Sequence, residues 1–199
     1  MRGPLAACPR MGLGNAFGTK GTAMFNPRLA ALIAIILTAA LLRLLPHPPN
    51  FTPIAAMALF GGAYLTDRRV AVAATLAALF VSDLFLGLYP EMWAIYLSMA
   101  LVVLLGGLLR ENRTPLKIAG VALTGSVLFF VLTNFATWAL GTMYPLTLAG
   151  LMQCYVAAIP FFQNSLAGDA LFTLLLFGGF AVAQKAAPAL REPAGAVAA

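Results

Sequence analysis

His47–Leu65, HPPNFTPIAAMALFGGAYL, passes from three prolines in seven residues to an apolar run without a charge. The apolar part, Phe51–Leu65, falls short of the roughly 20 residues that a membrane-crossing helix needs. Nothing in it suits water either. Pro48 and Pro49 stop whatever helix precedes them, and Thr52-Pro53 opens the next one with proline where its missing N–H costs nothing. The stretch therefore reads as a stiff linker feeding a short apolar helix. Such a helix is tilted, half-buried or re-entrant, and its ends must be wrapped in protein rather than lipid. The same prolines would also serve a plain tight turn.

The whole chain has the same character. Of 199 residues, 62% are hydrophobic and 9% charged, and the mean hydropathy is +0.93. Twelve basic and six acidic side chains cannot cover the water-facing surface of a soluble domain this long, so lipid must be the solvent for most of it. The net charge of +6 comes from basic residues scattered in ones and twos between apolar segments. That pattern orients a membrane protein and leaves no stripe for nucleic acid. Cys8 and Cys154 stand in no CxxC or Cys/His pattern, which argues against redox and zinc chemistry. His47 is the lone histidine, and no cofactor or metal site is expected.

Six apolar segments follow one another: Leu29–Leu45, Phe51–Leu65, Val70–Leu88, Met92–Leu109, Ile118–Leu140 and Ser165–Gln184. The expected fold is an all-α integral membrane protein of about six transmembrane helices in one bundle. Residues 1–23 read as a disordered leader, with Met24 an alternative start, residues 24–185 as the membrane domain and 186–199 as a flexible tail. Residues 141–162, broken by Tyr144-Pro145 and Ile159-Pro160, read as a long loop with one short interfacial helix. With both ends in the cytoplasm, the positive-inside rule accommodates every Lys and Arg except Arg43. The protein is accordingly expected in a bacterial cytoplasmic membrane, multi-pass, with HPPN outside.

Ionisable groups inside apolar spans are costly, so they mark candidate sites. Asp83 and Asp169 are two such groups. Each lies about five residues from the outer end of its span, and Asn134 lies about six from its own, which sets all three roughly 6 to 8 Å below the outer boundary. They are expected to form the polar floor of an outward-facing cup, with His47, Asn50, Tyr144, Tyr155 and Asn164 on its rim. Interhelical hydrogen bonding would equally account for each acid taken singly. Trp93, Trp138, Tyr89, Tyr96 and Tyr144 gather near the same face, where interfacial anchoring explains most of them. Small residues four apart, among them Ala30 with Ala34 and Ala58 with Gly62, offer close helix contacts, inside the bundle or to a partner.

The stretches HPPNFTPIAAMALFGGAYL, SDLFLGLYPEMWAIYLS, LFFVLTNFATW and YPLTLAGLMQCYVAAIPFFQNSLAGDALFTLLLFG together resemble an uncharacterised family of small bacterial membrane proteins provisionally labelled transport proteins. More distantly, TPIAAMALFGGAYL followed by an acid-bearing helix ending SDLFLG is similar to the substrate-binding S components of energy-coupling factor (ECF) vitamin transporters. That resemblance implies six helices, a ligand pocket near the outer face, and small-residue surfaces that dock on a membrane coupling protein driven by ATPases. No vitamin-specific pocket motif accompanies it. The chain has no GxxxxGK loop, so energy for transport would come from partners or an ion gradient. The expected function is capture of a small molecule for uptake. A structural or assembly role in the envelope is the alternative. An intramembrane enzyme built on Asp83 and Asp169 lacks the flanking motifs such enzymes carry.

Overall fold

A computed structural model of the chain describes residues 26–192. The leader, with Cys8, and residues 193–199 of the tail lie outside them. Among the described residues the secondary structure is wholly helical: α1 (Pro27–Leu42), α2 (Ile54–Tyr64), α3 (Arg68–Leu86), α4 (Met92–Gly106), α5 (Pro115–Leu140), α6 (Leu148–Thr173) and α7 (Gly179–Ala186). Local chemistry sets the starts. The side chains of Asn26, Asp67 and Thr147 accept N–H groups of the first turns of α1, α3 and α6, and Pro27 and Pro115 occupy first-turn positions where proline loses nothing. Gly87, at φ 98°, ends α3 in a conformation that side chains avoid.

Four helical stretches are long and apolar enough to cross a membrane: Arg68–Leu86, Met92–Leu109, Pro115–Leu140 and Leu148–Ala186. The first and second apolar segments are shorter, with 16 residues in α1 and 11 in α2. The expected loop over 141–162 gives way to helix. Only Gly141–Thr147 connects α5 to α6, and α6 runs through Pro160, a π-helical turn at Leu174–Gly178 and α7 without a break. Proline removes one N–H from a long, mostly apolar helix, and the remaining backbone bonds keep the helix intact.

α2 is the axis of the fold. Ten of its 11 residues are buried, because α1, α3, α4, α5 and α6 all pack around it. Phe60 and Tyr64 pack against Phe177 and Phe180 at ring separations of 4.8 to 5.6 Å. On the opposite side α2 and α4 touch backbone to backbone: a Cβ on Gly62 would collide with the Val103 carbonyl, and one on Gly106 with that of Leu59. The proline linker holds the other end. Asn164 of α6 donates to the Pro49 carbonyl at 3.0 Å, and Gly168 abuts Phe51 and Thr52.

So short a helix ends deep in the protein, where its last carbonyls have no helical partners. Three arginines supply them. Arg110 donates through Nε to Gly62 O at 3.0 Å and through Nη2 to Leu65 O at 2.7 Å. Arg113 Nη2 donates to Ala63 O at 2.9 Å, and Arg28 Nη2 reaches Tyr64 O at 3.5 Å. Three positive charges thus meet the negative pole of α2. Burial, then the charges of Arg68 and Arg113, lower the pKa of Arg110 from its ordinary value; a guanidinium stays charged regardless.

Candidate functional site

A cavity of about 490 Å³ lies between α5 and the α6–α7 rod. Its walls are mainly apolar: Ile118, Ala119 and Ala122 from one side, Leu166, Ala170 and Phe177 from the other. One end lies at the arginine-rich end of the bundle, lined by Tyr64 and Arg113. The guanidinium of Arg113 sits 4.5 Å over the Tyr64 ring, a cation–π contact that fixes both groups. Further in, Ser126, Asp169 and Thr173 are polar on an otherwise oily wall.

These three groups are buried. Ser126 Oγ donates to Asp169 Oδ2 at 2.6 Å. Among the described residues that is the one hydrogen bond made to the carboxyl, and no cation lies within ion-pair distance of it. Thr173, one helical turn further along α6, has a buried hydroxyl without a partner among the described residues. Buried polar groups in folded proteins are normally satisfied, and a carboxyl in hydrocarbon is the most demanding of them. An acid, a hydroxyl bonded to it and a hydroxyl with no partner among the described residues therefore face one cavity.

Of the eight residues singled out from the sequence, Asp169 alone lines this cavity. Asp83 lies in a second polar cluster. Arg43 Nη1 donates to Asp83 Oδ1 at 2.8 Å and to Ser82 Oγ at 2.6 Å, and Tyr96 donates its hydroxyl to Asp83 Oδ2 at 2.8 Å. The cluster ties α1, α3 and α4 together. It also explains Arg43 as the exception to the charge rule, because a cation neutralised in place carries little topological weight. Beside it, the ring nitrogens of exposed His47 face the carbonyls of Pro48 and Arg43 at 3.0 and 3.2 Å. Exposed Asn50 takes φ 62° in the linker, a conformation asparagine tolerates. Tyr89, outside the spans, has its phenol pushed above the ordinary value by burial and then by the Asp83 charge, with Arg43 opposing.

A third group staples the α5–α6 hairpin. Asn134 donates to its own helix at Phe130 O, 2.8 Å away, and its carbonyl accepts the Cys154 thiol at 3.5 Å. Tyr155 donates to Val131 O at 2.8 Å, and Trp138 Nε1 to Pro145 O at 3.0 Å beside half-buried Tyr144. Asn164 holds the linker, as described. Asp83, Asn134 and Asp169 thus form no common floor: Asp169 pairs with Ser126, about 12 Å short of Asn134 along α5, because α6 starts at Leu148 rather than at Ser165, and depth along a helix says nothing about direction around it. Asp83 faces α1 and α4, whereas Asp169 faces α5. Sequence reasoning passed over Ser126 and Thr173 as small hydroxyls, and Arg113 as a topological charge. The four-residue step from Asp169 to Thr173 was the available signal, because it sets both on one face.

Four helices long and apolar enough to cross a bilayer, two of them flanking a cavity with a buried acid, mark a helical membrane protein. Within that class the chain belongs to a family of unknown function, DUF6580, whose profile matches residues 23–190. No curated protein and no solved structure matches the chain.

Proposed function

We propose that this protein is the substrate-binding subunit of a membrane transport system, and that the cavity between α5 and α6 is its binding site. The observation that carries the reading is Asp169: a buried carboxyl with one hydrogen bond and no counter-ion among the described residues, facing a cavity of 490 Å³. That volume falls within the range of about 300 to 1,000 Å³ typical of small-molecule sites, and an apolar wall with few, convergent polar groups is their usual chemistry. All six apolar segments are embedded in a bacterial cytoplasmic membrane in this reading, in the manner of an S component, with the arginine-rich end in the cytoplasm. The cavity then lies toward the cytoplasmic side. Uptake requires the same site to be reached from outside in another arrangement of the helices. Energy comes from a separate coupling protein and ATPases, since the chain carries no phosphate-binding loop.

The test begins with protein purified from its native membrane and small molecules identified by mass spectrometry after extraction. Ligand-free Asp169→Asn protein should melt within a few degrees of the native chain, while stabilisation by the co-purified molecule disappears. Ligand stabilisation grows with the logarithm of concentration over Kd, so its loss is read directly from a titration. Equal stabilisation of the native and Asp169→Asn proteins removes the cavity from the reading.

A further inference from the structure

One end of the cavity is charged, and the arginine there, Arg113, already holds a carboxylate of the same chain. The turn Pro188–Leu190 folds back under the bundle against α1. It is tied there: Gln184 Nε2 donates to Leu190 O at 3.2 Å, and Arg191 Nε donates to Gln184 O at 2.9 Å. This strap delivers Glu192 to the arginines. Arg113 Nη1 donates to Glu192 Oε2 at 3.0 Å and Nη2 reaches Oε1 at 3.5 Å, while Arg28 Nη2 stands 3.4 Å from Oε1. One carboxylate therefore lies between two guanidiniums, and one of those, Arg113, also lines the cavity. Arg28 and Arg113 each keep a buried Nε–H with no acceptor among the described residues.

Resting on the cavity as the binding site, we infer that its ligand is an acidic amphiphile, carboxylate- or phosphate-headed, and that Glu192 occupies the place of its headgroup. The chemistry of the two ends differs as such a ligand demands. Planar guanidiniums match a carboxylate or phosphate. From them an apolar trough runs inward along α5 from Pro115 to Ser126, about 16 Å at 1.5 Å per residue, and ends at Asp169 and Thr173, which suit a hydroxyl or other donor on the far end of the chain. Glu192 is the intramolecular competitor: it satisfies the arginines when the trough is empty and must leave when an acid enters. The headgroup can belong to a membrane lipid or to a free amphiphile.

The test uses the full chain in a neutral detergent, with thermal stabilisation as readout. Dodecanoate and dodecyl phosphate are compared with dodecanol and dodecyltrimethylammonium, and nanodiscs of phosphatidylcholine with those containing phosphatidylglycerol. Acidic probes should stabilise the protein where neutral and cationic ones do not; stabilisation confined to phosphatidylglycerol nanodiscs assigns the headgroup to lipid, and by the soluble acids to a free ligand. E192Q lies on the strap, outside the bundle, and should bind the acidic probe about two- to fivefold more tightly, the scale of a partly exposed ion pair removed from competition. R113Q should abolish the effect. Should R113Q fail to fold, E192Q alone decides: affinity equal to or below that of the native chain overturns the competition, and equal stabilisation by the cationic probe overturns the ligand class. Loss of the co-purified molecule's effect in Asp169→Asn, together with indifference to every acidic probe, would retain the site and discard this inference.

Discussion

At Asp83 and Asp169 the same residue type serves two purposes, and surroundings decide which. Asp83 is 1% exposed and paired with Arg43 at 2.8 Å, so removing either partner strands the other's charge in a medium that cannot solvate it. Arg43→Met or Asp83→Leu alone should cost about 3 to 5 kcal/mol, while the double replacement by apolar side chains should recover most of that loss. A double-mutant cycle in detergent checks it, and simple additivity of the two losses would show that the pair is not coupled. Among the described residues Asp169 has no such partner. Both acids were legible in the sequence as costly residues in apolar spans. What each one faces was not, because direction around a helix depends on how neighbouring helices pack. Arg43 was visible as the odd charge out, and reading that oddity together with Asp83 would have paired them.

For the elements, the lesson of α2 is that a helix too short to cross can still belong to the membrane layer if protein replaces lipid around it. Its shortness was legible in His47–Leu65, and so was the need for wrapping. The identity of the wrapping was hidden, because Arg28 lies far along the chain from Arg110 and Arg113, which share the connection before α5, and all three look like ordinary topological charges. Arg110 spans the carbonyls of Gly62 and Leu65 with two nitrogens, a fork that an ammonium on a flexible stem cannot reproduce. Arg110→Lys should therefore keep the charge yet cost about 1.5 to 3 kcal/mol, the scale of one charged hydrogen bond. Stability equal to that of the native chain would mean that charge alone caps the helix. Gly62→Ala tests the other face: its methyl group would collide with the Val103 carbonyl, whereas Gly120 on α5 has open space for the same change. The first should lower Tm by several degrees and the second should leave it level or slightly raised. An equal response at both glycines would contradict the backbone contact between α2 and α4.

Across the whole molecule, the misread element is the one with consequences for placement in the bilayer. Pro145 does sit in the connection between α5 and α6, but Pro160 suggested a loop only because proline is read locally as a breaker; a helix surrounded by hydrocarbon has nowhere else to satisfy its backbone, so α6 continues through it. α5 and α6 each have 26 residues, about 39 Å at 1.5 Å per residue, against a hydrocarbon core of about 30 Å. Exposed Val131, Phe135, Met152 and Val156 make the hairpin apolar toward its tip. It therefore suits a strongly tilted position better than one standing in water. In the proposed placement the charges set the sense. Arg68, Arg69, Arg110, Arg113 and Lys117 flank the same end of the bundle, and Arg43 at the other is neutralised. The prediction is made on a background with Cys8 and Cys154 replaced. Single cysteines at Asn50, Tyr89 and Thr142 should react with an impermeant thiol reagent in intact cells, one at Glu111 should react only after lysis, and one at Met152 should stay shielded by lipid throughout. Labelling of Glu111→Cys in intact cells with Asn50→Cys silent would invert the protein. Labelling of Met152→Cys alongside Asn50→Cys would lift the hairpin out of the bilayer and leave its apolar tip in need of a protein partner.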